Sequence, residues 1–233
     1  MLSEEFEQNF SGQVPIFPLP NVVFFPGTKL PLHIFEPRYR QMLVDVHRGE
    51  GLISVVLLDR SRKLEPGEAK NPPVYPVAGL GRLTRVERLP NGFFNVDLFG
   101  LSRIRILEEI ETNKPYRIAR VKTIRDEASE VAETRSEEIL QRAFDAFNKV
   151  LRKYSQFPGE FLTRFKGLPV GMLLDVLAHH VPCDSQKKQM FLEETEPLRR
   201  CDKIVEALER IYQGPEPNVK VSALSLFPFP SLN

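Results

Sequence analysis

Proline is placed through the first forty residues so densely that neither a long helix nor a long regular strand can form there. Pro15, Pro18, Pro20, Pro26, Pro31 and Pro37 each fix φ and remove a backbone donor. The residues between them are those that favour strands: Val14, Ile16, Phe17, Val22, Val23, Phe24, Phe25, Leu30, Leu32 and Ile34. Such a segment can only form short, irregular strands joined by tight turns, with Gly27 free to make one of them.

The same texture continues to about Arg125, and strands are expected at 14–18, 22–25, 30–34, 53–58, 74–89, 93–107 and 116–124. Seven strands are enough for a closed or nearly closed barrel. Asn91-Gly92 supplies the positive φ angles of a tight hairpin turn between the fifth and sixth of these. After it, Val96, Leu98, Ile104 and Ile106 alternate with Asp97, Arg103 and Arg105, the pattern of a strand buried on one face, with a bulge or bend at Gly100. One interruption has helical period: Tyr39, Met42, Leu43 and Val46 share a face behind Pro37, and Gly49 and Gly51 end the helix. The charged segment 60–73, with four prolines and glycines, reads as a surface loop.

Beyond Asp126 the period becomes helical throughout. Thr134-Arg135-Ser136-Glu137 is a candidate capping box before Leu140, Ala143, Phe144, Phe147, Val150, Leu151 and Tyr154. Pro158-Gly159 breaks that helix, and Pro169 opens a second with Leu173, Leu174, Leu177, Ala178 and Val181 on its apolar side. Asp184 can cap a third, and Pro197 starts a fourth that carries Leu198, Cys201, Val205, Leu208 and Tyr212 and stops at Gly214-Pro215. The reading is α+β, with a β unit at 14–125, a helical unit at 134–213, and tails at 1–13 and 214–233. The second tail is apolar, with Leu224, Leu226, Phe227, Phe229 and Leu232, so it is expected to dock on its own domain or to engage a partner.

Charge excludes little and directs less: 32 Lys and Arg against 31 Asp and Glu leave a formal +1, too small a field to draw in nucleic acid or an anionic membrane. No apolar run approaches the ~20 residues of a membrane-spanning helix, and Glu4, Glu5 and Glu7 stand where a secretion signal needs basic residues. Two cysteines are too few for a disulfide framework, so a cytoplasmic setting is expected. The chain has no phosphate-binding glycine loop, no zinc-ligand spacing among its four histidines, and no local pairing of a nucleophile with a base. Gly79-Leu80-Gly81 reads as a bend in a strand rather than a dinucleotide fingerprint. Adjacent His179 and His180 diverge on a helix, and Cys201 reads as a small buried hydrophobe. No cofactor, metal or catalytic residue is nominated.

The ordered run Val14-Pro15-Ile16-Phe17-Pro18-Leu19-Pro20-Asn21-Val22-Val23-Phe24-Phe25-Pro26-Gly27, followed by Leu30-Pro31-Leu32-His33-Ile34-Phe35-Glu36-Pro37-Arg38-Tyr39, closely resembles the opening of the Lon protease N-terminal domain family. Asp97-Leu98-Phe99-Gly100-Leu101-Ser102-Arg103 and Tyr116-Arg117-Ile118-Ala119-Arg120-Val121 resemble its later strands, and likeness extends to about Tyr212; Leu80-Gly81-Arg82 departs from the family's usual Val-Gly-Thr. The resemblance implies a PUA-like β pseudo-barrel with one inserted helix, followed by a helical bundle. It also implies a substrate-binding domain that works beside ATPase and Ser-Lys peptidase modules, neither of which these residues contain, so no ATP hydrolysis or peptide cleavage is expected of them.

The function expected is a non-catalytic protein-binding module that takes apolar segments of unfolded or partner proteins in a groove between barrel and helices. Candidate binding or structural residues are Phe24, Phe25, Glu36, Arg38, Phe227 and Phe229, with self-association through the apolar tail as a related expectation. Ile34 and Phe35 can pack the barrel, while Glu36 and Arg38 can pair with each other, cap the helix or anchor loops, and a structural role outweighs a ligand role. The alternative is an RNA-binding PUA-like domain using Arg82, Arg85, Arg88, Arg103 and Arg105, less favoured because basic-aromatic RNA motifs are missing and the net charge is near zero.

Overall fold

A computed structural model gives the fold. It describes residues 4–61, 64–65, 68, 71–127, 134–154 and 169–214. The chain divides into two compact units, Met1–Ile124 and Arg125–Asn233.

The first unit is built on six strands: β1 (Gln13–Leu19), β2 (Lys29–Ile34), β3 (Leu52–Leu57), β4 (Val77–Arg88), β5 (Phe94–Ile110) and β6 (Ile118–Ile124). A short helix α1 (Glu4–Asn9), which the sequence did not suggest, precedes them, and α2 (Pro37–Arg48) is inserted between β2 and β3. Strand order is β2-β5-β4-β3-β1-β6, and β5 also pairs with β6, so five strands close a ring and β2 lies outside it on β5. β1 and β3 run parallel and the other pairings are antiparallel. Every residue of β3 is buried because each of its faces meets a separate core. Leu52 and Val56 join Val14, Ile16, Ala78, Leu80, Ile104, Ala119 and Val121. Ile53 and Val55 join Phe17 and the α2 face of Tyr39, Met42, Leu43 and Val46.

The expected strand at 22–25 does not form. That segment crosses the faces of β4 and β5, and the crossing is so close that only glycine fits beneath it. A Cβ on Gly79 would lie 2.1 Å from the Phe24 carbonyl oxygen, and one on Gly100 would lie 2.1 Å from that of Phe25. Gly27 N–H donates to Gly100 O at 2.9 Å and Gly100 N–H to Thr28 O at 2.8 Å, fixing the crossing to β5. Pro20 and Pro26 bound the stretch and deny it ladder donors on either side. The glycine pair 79 and 81 coincides with a register shift between Leu80 and Gly81, and a residue of β5 is bulged beside Gly100.

β5 is also not buried on one face only. Val96, Leu98 and Ile104 are core, but so are Asp97 and Arg103, at 8% and 4% exposure. Pairing with β2 covers Asp97, whose carboxylate takes the Lys29 ammonium at 2.8 Å.

The second unit contains α3 (Ser136–Tyr154), α4 (Val170–His180), α5 (Ser185–Glu193) and α6 (Pro197–Gln213). α3 and α6 run in the same direction: Cys201 Sγ donates to Ile139 O, Arg142 pairs with Asp202, and the Tyr154 hydroxyl donates to Ile211 O. α3 buries Ile139, Ala143, Ala146, Phe147, Val150 and Leu151, so its apolar stripe is turned slightly from the expected one through Leu140 and Phe144. Asp184 caps α5 by accepting from Lys187 N–H, and Glu196 caps α6 by accepting from Leu198 and Arg199 N–H.

Arg200 holds this unit from within. It is fully buried, with Nη1 and Nη2 on the two oxygens of Asp126 at 2.8 and 2.7 Å and further bonds to Glu194 O and Gly171 O. Its Nε faces the buried Asp175 carboxylate at 3.4 Å. Gly171 is needed beside it, since a Cβ there would sit 1.8 Å from Asp126 Oδ2. His180 is buried and donates its Nδ1–H to Val176 O, while His179 is half-buried with its ring centroid 4.9 Å from that of His180. Cys201 is buried, as expected of a small hydrophobe.

Candidate functional site

Two surface features of the barrel unit meet at the start of α2. The first is an aromatic platform at the end of β2. Ile34 closes β2 with its side chain in the core, so Phe35 is turned outward and is 54% exposed. Register pairs His33 with Asn95 and Ile34 with Phe94, which brings the Asn91-Gly92 turn and Phe93 alongside. The turn forms as its sequence requires: Gly92 has φ +79°, Gly92 N–H donates to Leu89 O, and Asn91 Oδ1 accepts from Phe93 N–H. Ring centroids of His33, Phe35 and Phe93 lie 5.8–6.3 Å apart. His33 Nδ1 is held at 2.8 Å from Asn95 Oδ1, and Arg40 lies 6.0 Å over Phe93 while donating to Gly92 O. The result is a rigid patch of three rings rimmed by one guanidinium.

The second feature is a cleft of about 750 Å³ whose lining includes Pro18, Arg38, Tyr39, Leu58, Pro72 and the 109–117 connection. Glu36 occupies the N-cap position of α2 without capping it, because its carboxylate instead takes Arg38 Nε and Nη2 at 2.9 and 2.8 Å. The Arg38 guanidinium stacks 4.5 Å above the Tyr39 ring, whose other contact is the Phe17 ring, edge-on at 4.4 Å. Across the cleft, Glu109 fixes Arg117 through both carboxylate oxygens and Pro72 O accepts from Arg117 Nη1. Asp45 receives Lys114 Nζ and the Tyr116 hydroxyl, each at 2.6 Å.

Asp45, Tyr116 and Tyr39 have pKa values shifted away from neutrality. The hydrogen bond from Lys114, then that from Tyr116, lowers the Asp45 pKa to about 2. Burial raises that of Tyr116, and the Asp45 charge raises it further. Burial raises that of Tyr39, against the pull of the Arg38 and Arg117 charges. General acid–base work at pH 7 calls for the opposite tuning. The arrangement suits binding by hydrogen bond, charge and aromatic contact.

The residues nominated from sequence scatter. Phe24 and Phe25 are 1% and 0% exposed and form core, so neither is presented to a partner. Glu36 and Arg38 pair at the mouth of the cleft. Phe227 and Phe229 lie outside the described residues. The five arginines do not share a face: Arg103 is buried, Arg82 covers the Phe6 ring at 5.8 Å, and Arg85 pairs with Glu87. A register shift between Leu83 and Arg85 sets Arg85 opposite Asp97 and Arg88 opposite Phe94, on opposite faces of the hairpin. Ile34 packs the barrel as expected, but Phe35, expected to pack beside it, is exposed instead, and Phe93 was not singled out, though a signal existed for both. Phe35 is out of phase with the buried Ile34, and two successive aromatics after a tight turn must send one ring outward.

Among the described residues no helix is long and apolar enough to cross a membrane. Comparison with known proteins gives one answer from three directions. Residues 13–210 match the family described as the ATP-dependent protease La (LON) substrate-binding domain. The chain is 27% identical over 205 residues to a Lon protease of Anaeromyxobacter dehalogenans, covering 88% of this chain and 24% of that protein. It is 28% identical over 203 residues to Lon protease 2 of Myxococcus xanthus, covering 84% and 23%. It thus spans about a quarter of the length of the relatives it matches. The fold is similar to the N-terminal domain of a Mycobacterium avium complex Lon protease, with TM-score 0.63, 14% identity, and coverage of 84% of this chain and 98% of that one. It is also similar to a Lon N-terminal domain protein from Xanthomonas campestris, with TM-score 0.54, 19% identity and coverage of 83% and 97%. A match over most of its length, on a barrel whose strands and inserted helix are those just described, makes this chain a member of the LON substrate-binding domain family.

Proposed function

We propose that these residues act as a non-catalytic protein-binding module in the cytoplasm, holding exposed apolar segments of unfolded or partner proteins on the platform of His33, Phe35 and Phe93. The observation that carries the reading is Phe35, 54% exposed in a cluster of rings none of which belongs to the barrel's buried cores. Full burial of such a side chain is worth ~1.5–3 kcal/mol and these rings are already partly covered, so capture is weak and reversible, suited to sampling many sequences. The family's description as a substrate-binding domain and the shifts of Tyr39, Tyr116 and the neighbouring Asp45 away from neutrality both favour binding over chemistry. Self-association through the apolar segment after Gly214 is a related reading. It predicts that removing residues 222–233 lowers the sedimentation coefficient.

The test is titration of a fluorescent, permanently unfolded protein against the chain and against Phe35→Ser/Phe93→Ser. Saturable binding weakened about tenfold or more in the double variant, with an unchanged circular dichroism spectrum, is the expected result. No saturable binding by the unaltered chain, or equal binding by the variant, overturns the proposal. Affinity for single-stranded RNA that falls steeply with salt would favour the nucleic-acid alternative.

A further inference from the structure

We infer that the Arg38–Tyr39–Arg117 cleft is a site for a peptide's C-terminal carboxylate, and that the apolar walls beside it take the side chain of the last residue. The inference rests on the protein-binding reading and names a substrate class for it.

Tyr39 supplies the first part of the argument. Its hydroxyl makes no hydrogen bond among the described residues, and it is not one of the buried polar atoms lacking a partner, so it opens on the cleft that Tyr39 lines. The ring is packed by Phe17 and by the Arg38 guanidinium, so the hydroxyl is positioned before a ligand arrives and little ordering is paid on binding. Two guanidiniums supply the second part. Arg38 directs Nε and Nη2 to a single oxygen of Glu36, and Nη1 is left for a ligand. Arg117 is locked by Glu109 and Pro72 O, and its charge reaches Tyr39. Glu36 and Glu109 neutralise these cations individually, so recognition comes from placed donors rather than from a net positive field. A bare anion such as phosphate gains little from that arrangement. A carboxylate that arrives on an apolar body gains from both.

The walls supply that second gain. Pro18, Leu58, Pro72, Ile110 and Pro115 line the same cleft, whose volume of about 750 Å³ accommodates a few terminal residues. Carboxylate capture by fixed donors beside an apolar pocket is a general mode of reading a chain end. An internal segment offers a carboxylate only at the tip of an Asp or Glu side chain, without an apolar side chain on the same carbon, so the cleft would add selection for chain ends to the general apolar capture proposed above.

The test is isothermal titration with two short N-acetylated peptides of glycines ending in leucine, one with a free carboxylate and one amidated. The free acid is expected to bind about tenfold or more tightly, since a charge-assisted hydrogen bond is lost in the amide. Tyr39→Phe keeps the ring in the core and removes only the hydroxyl, and it should cost most of that difference; Arg38→Gln should do the same without touching the core. Equal affinity of acid and amide overturns the inference, as does a free-acid preference untouched in both variants. Competition by inorganic phosphate as strong as by the peptide also overturns it, in favour of a general anion site. The unfolded-protein titration with the Phe35→Ser/Phe93→Ser variant reads the other surface. An acid–amide difference of nil alongside intact capture there removes only this inference, and a lost capture with a retained difference removes only the platform.

Discussion

Replacing Gly100 with alanine should weaken the barrel by about 3–5 kcal/mol, a large share of the ~5–15 kcal/mol that a folded domain has. The new Cβ would stand 2.1 Å from Phe25 O, 3.0 Å from Phe25 C and 3.2 Å from Pro26 Cα. All three are backbone atoms, so no rotamer change relieves the clash, and the crossing segment must lift by more than an ångström. Lifting breaks the bonds between Gly27 N–H and Gly100 O and between Gly100 N–H and Thr28 O, each worth about 1 kcal/mol. It also disturbs the seats of Phe24 and Phe25, and forcing atoms into a filled core typically costs ~1–3 kcal/mol. Gly49→Ala is the control: its Cβ would meet only Asp45 O at 3.4 Å and Val46 O at 3.8 Å, and a change within about 0.5 kcal/mol is expected. Urea unfolding followed by far-ultraviolet circular dichroism reads both, and at m near 1–3 kcal/mol/M the Gly100→Ala midpoint should fall by roughly 1 M or more. Equal midpoints for the two variants would mean that the 22–28 crossing does not bear on β5, and the account of the three glycines would fail.

Two further predictions concern the helical unit. Arg200→Met removes the guanidinium from the buried Asp175 and from Asp126 and should destabilise the unit by ~3–5 kcal/mol, partly restored by Asp175→Asn; chemical denaturation of the three proteins checks this, and an unaffected Arg200→Met would refute it. His179 and His180 have pKa values lowered by burial to about 3 and about 4, so the unfolded chain binds their protons first. Their contribution is fully present above pH ~6.5 and is lost as pH falls from there toward 4, on the order of 3 kcal/mol for each group. Asp45, lowered to about 2 by Lys114 and Tyr116, keeps its contribution until pH falls below ~4. Amide hydrogen exchange should therefore show α4 and α5 loosening between pH 6.5 and 4 while the strands hold; simultaneous loosening would contradict the burial of the histidines.

What the sequence disclosed was local chemistry, and what it hid was pairing across distance. The Asn91-Gly92 turn was legible because its φ angles depend on those residues alone. So were the Pro37 and Pro197 helix starts and the Asp184 cap. Val22 to Phe25 has every property of a strand except a partner. The record of its true path lies in Gly79, Gly81 and Gly100, far along the chain, whose bareness becomes meaningful only once Phe24 and Phe25 are laid on them. Asp97 and Arg103 alternate like surface residues, and they are buried because β5 is covered on both sides. Arg200, which the sequence reading did not single out, gains its meaning only when Asp126, 74 residues earlier, is brought to it. The platform was hidden for the same reason, since Phe35 and Phe93 meet only through the β2–β5 register.

That register also bears on how the platform and the cleft can vary without loss of the fold. β2 lies outside the closed ring and pairs only with β5, so the rings it presents are carried on an appendage of the barrel rather than on a wall. The residues of the run 34–39 then divide their work. Ile34 enters the core, Phe35 faces the platform, Pro37 starts the helix, and Arg38 and Tyr39 reach the cleft. A stretch that identifies the family so strongly is therefore not wholly devoted to binding or to structure. Phe35 can be exchanged at little cost to folding, because it is exposed. Tyr39 is tied to Phe17 and cannot be cut back without opening the core, and only its hydroxyl is free to vary. If both surfaces bind, the apolar preference should drift readily among relatives while the donors of the cleft stay fixed by the ring that carries them.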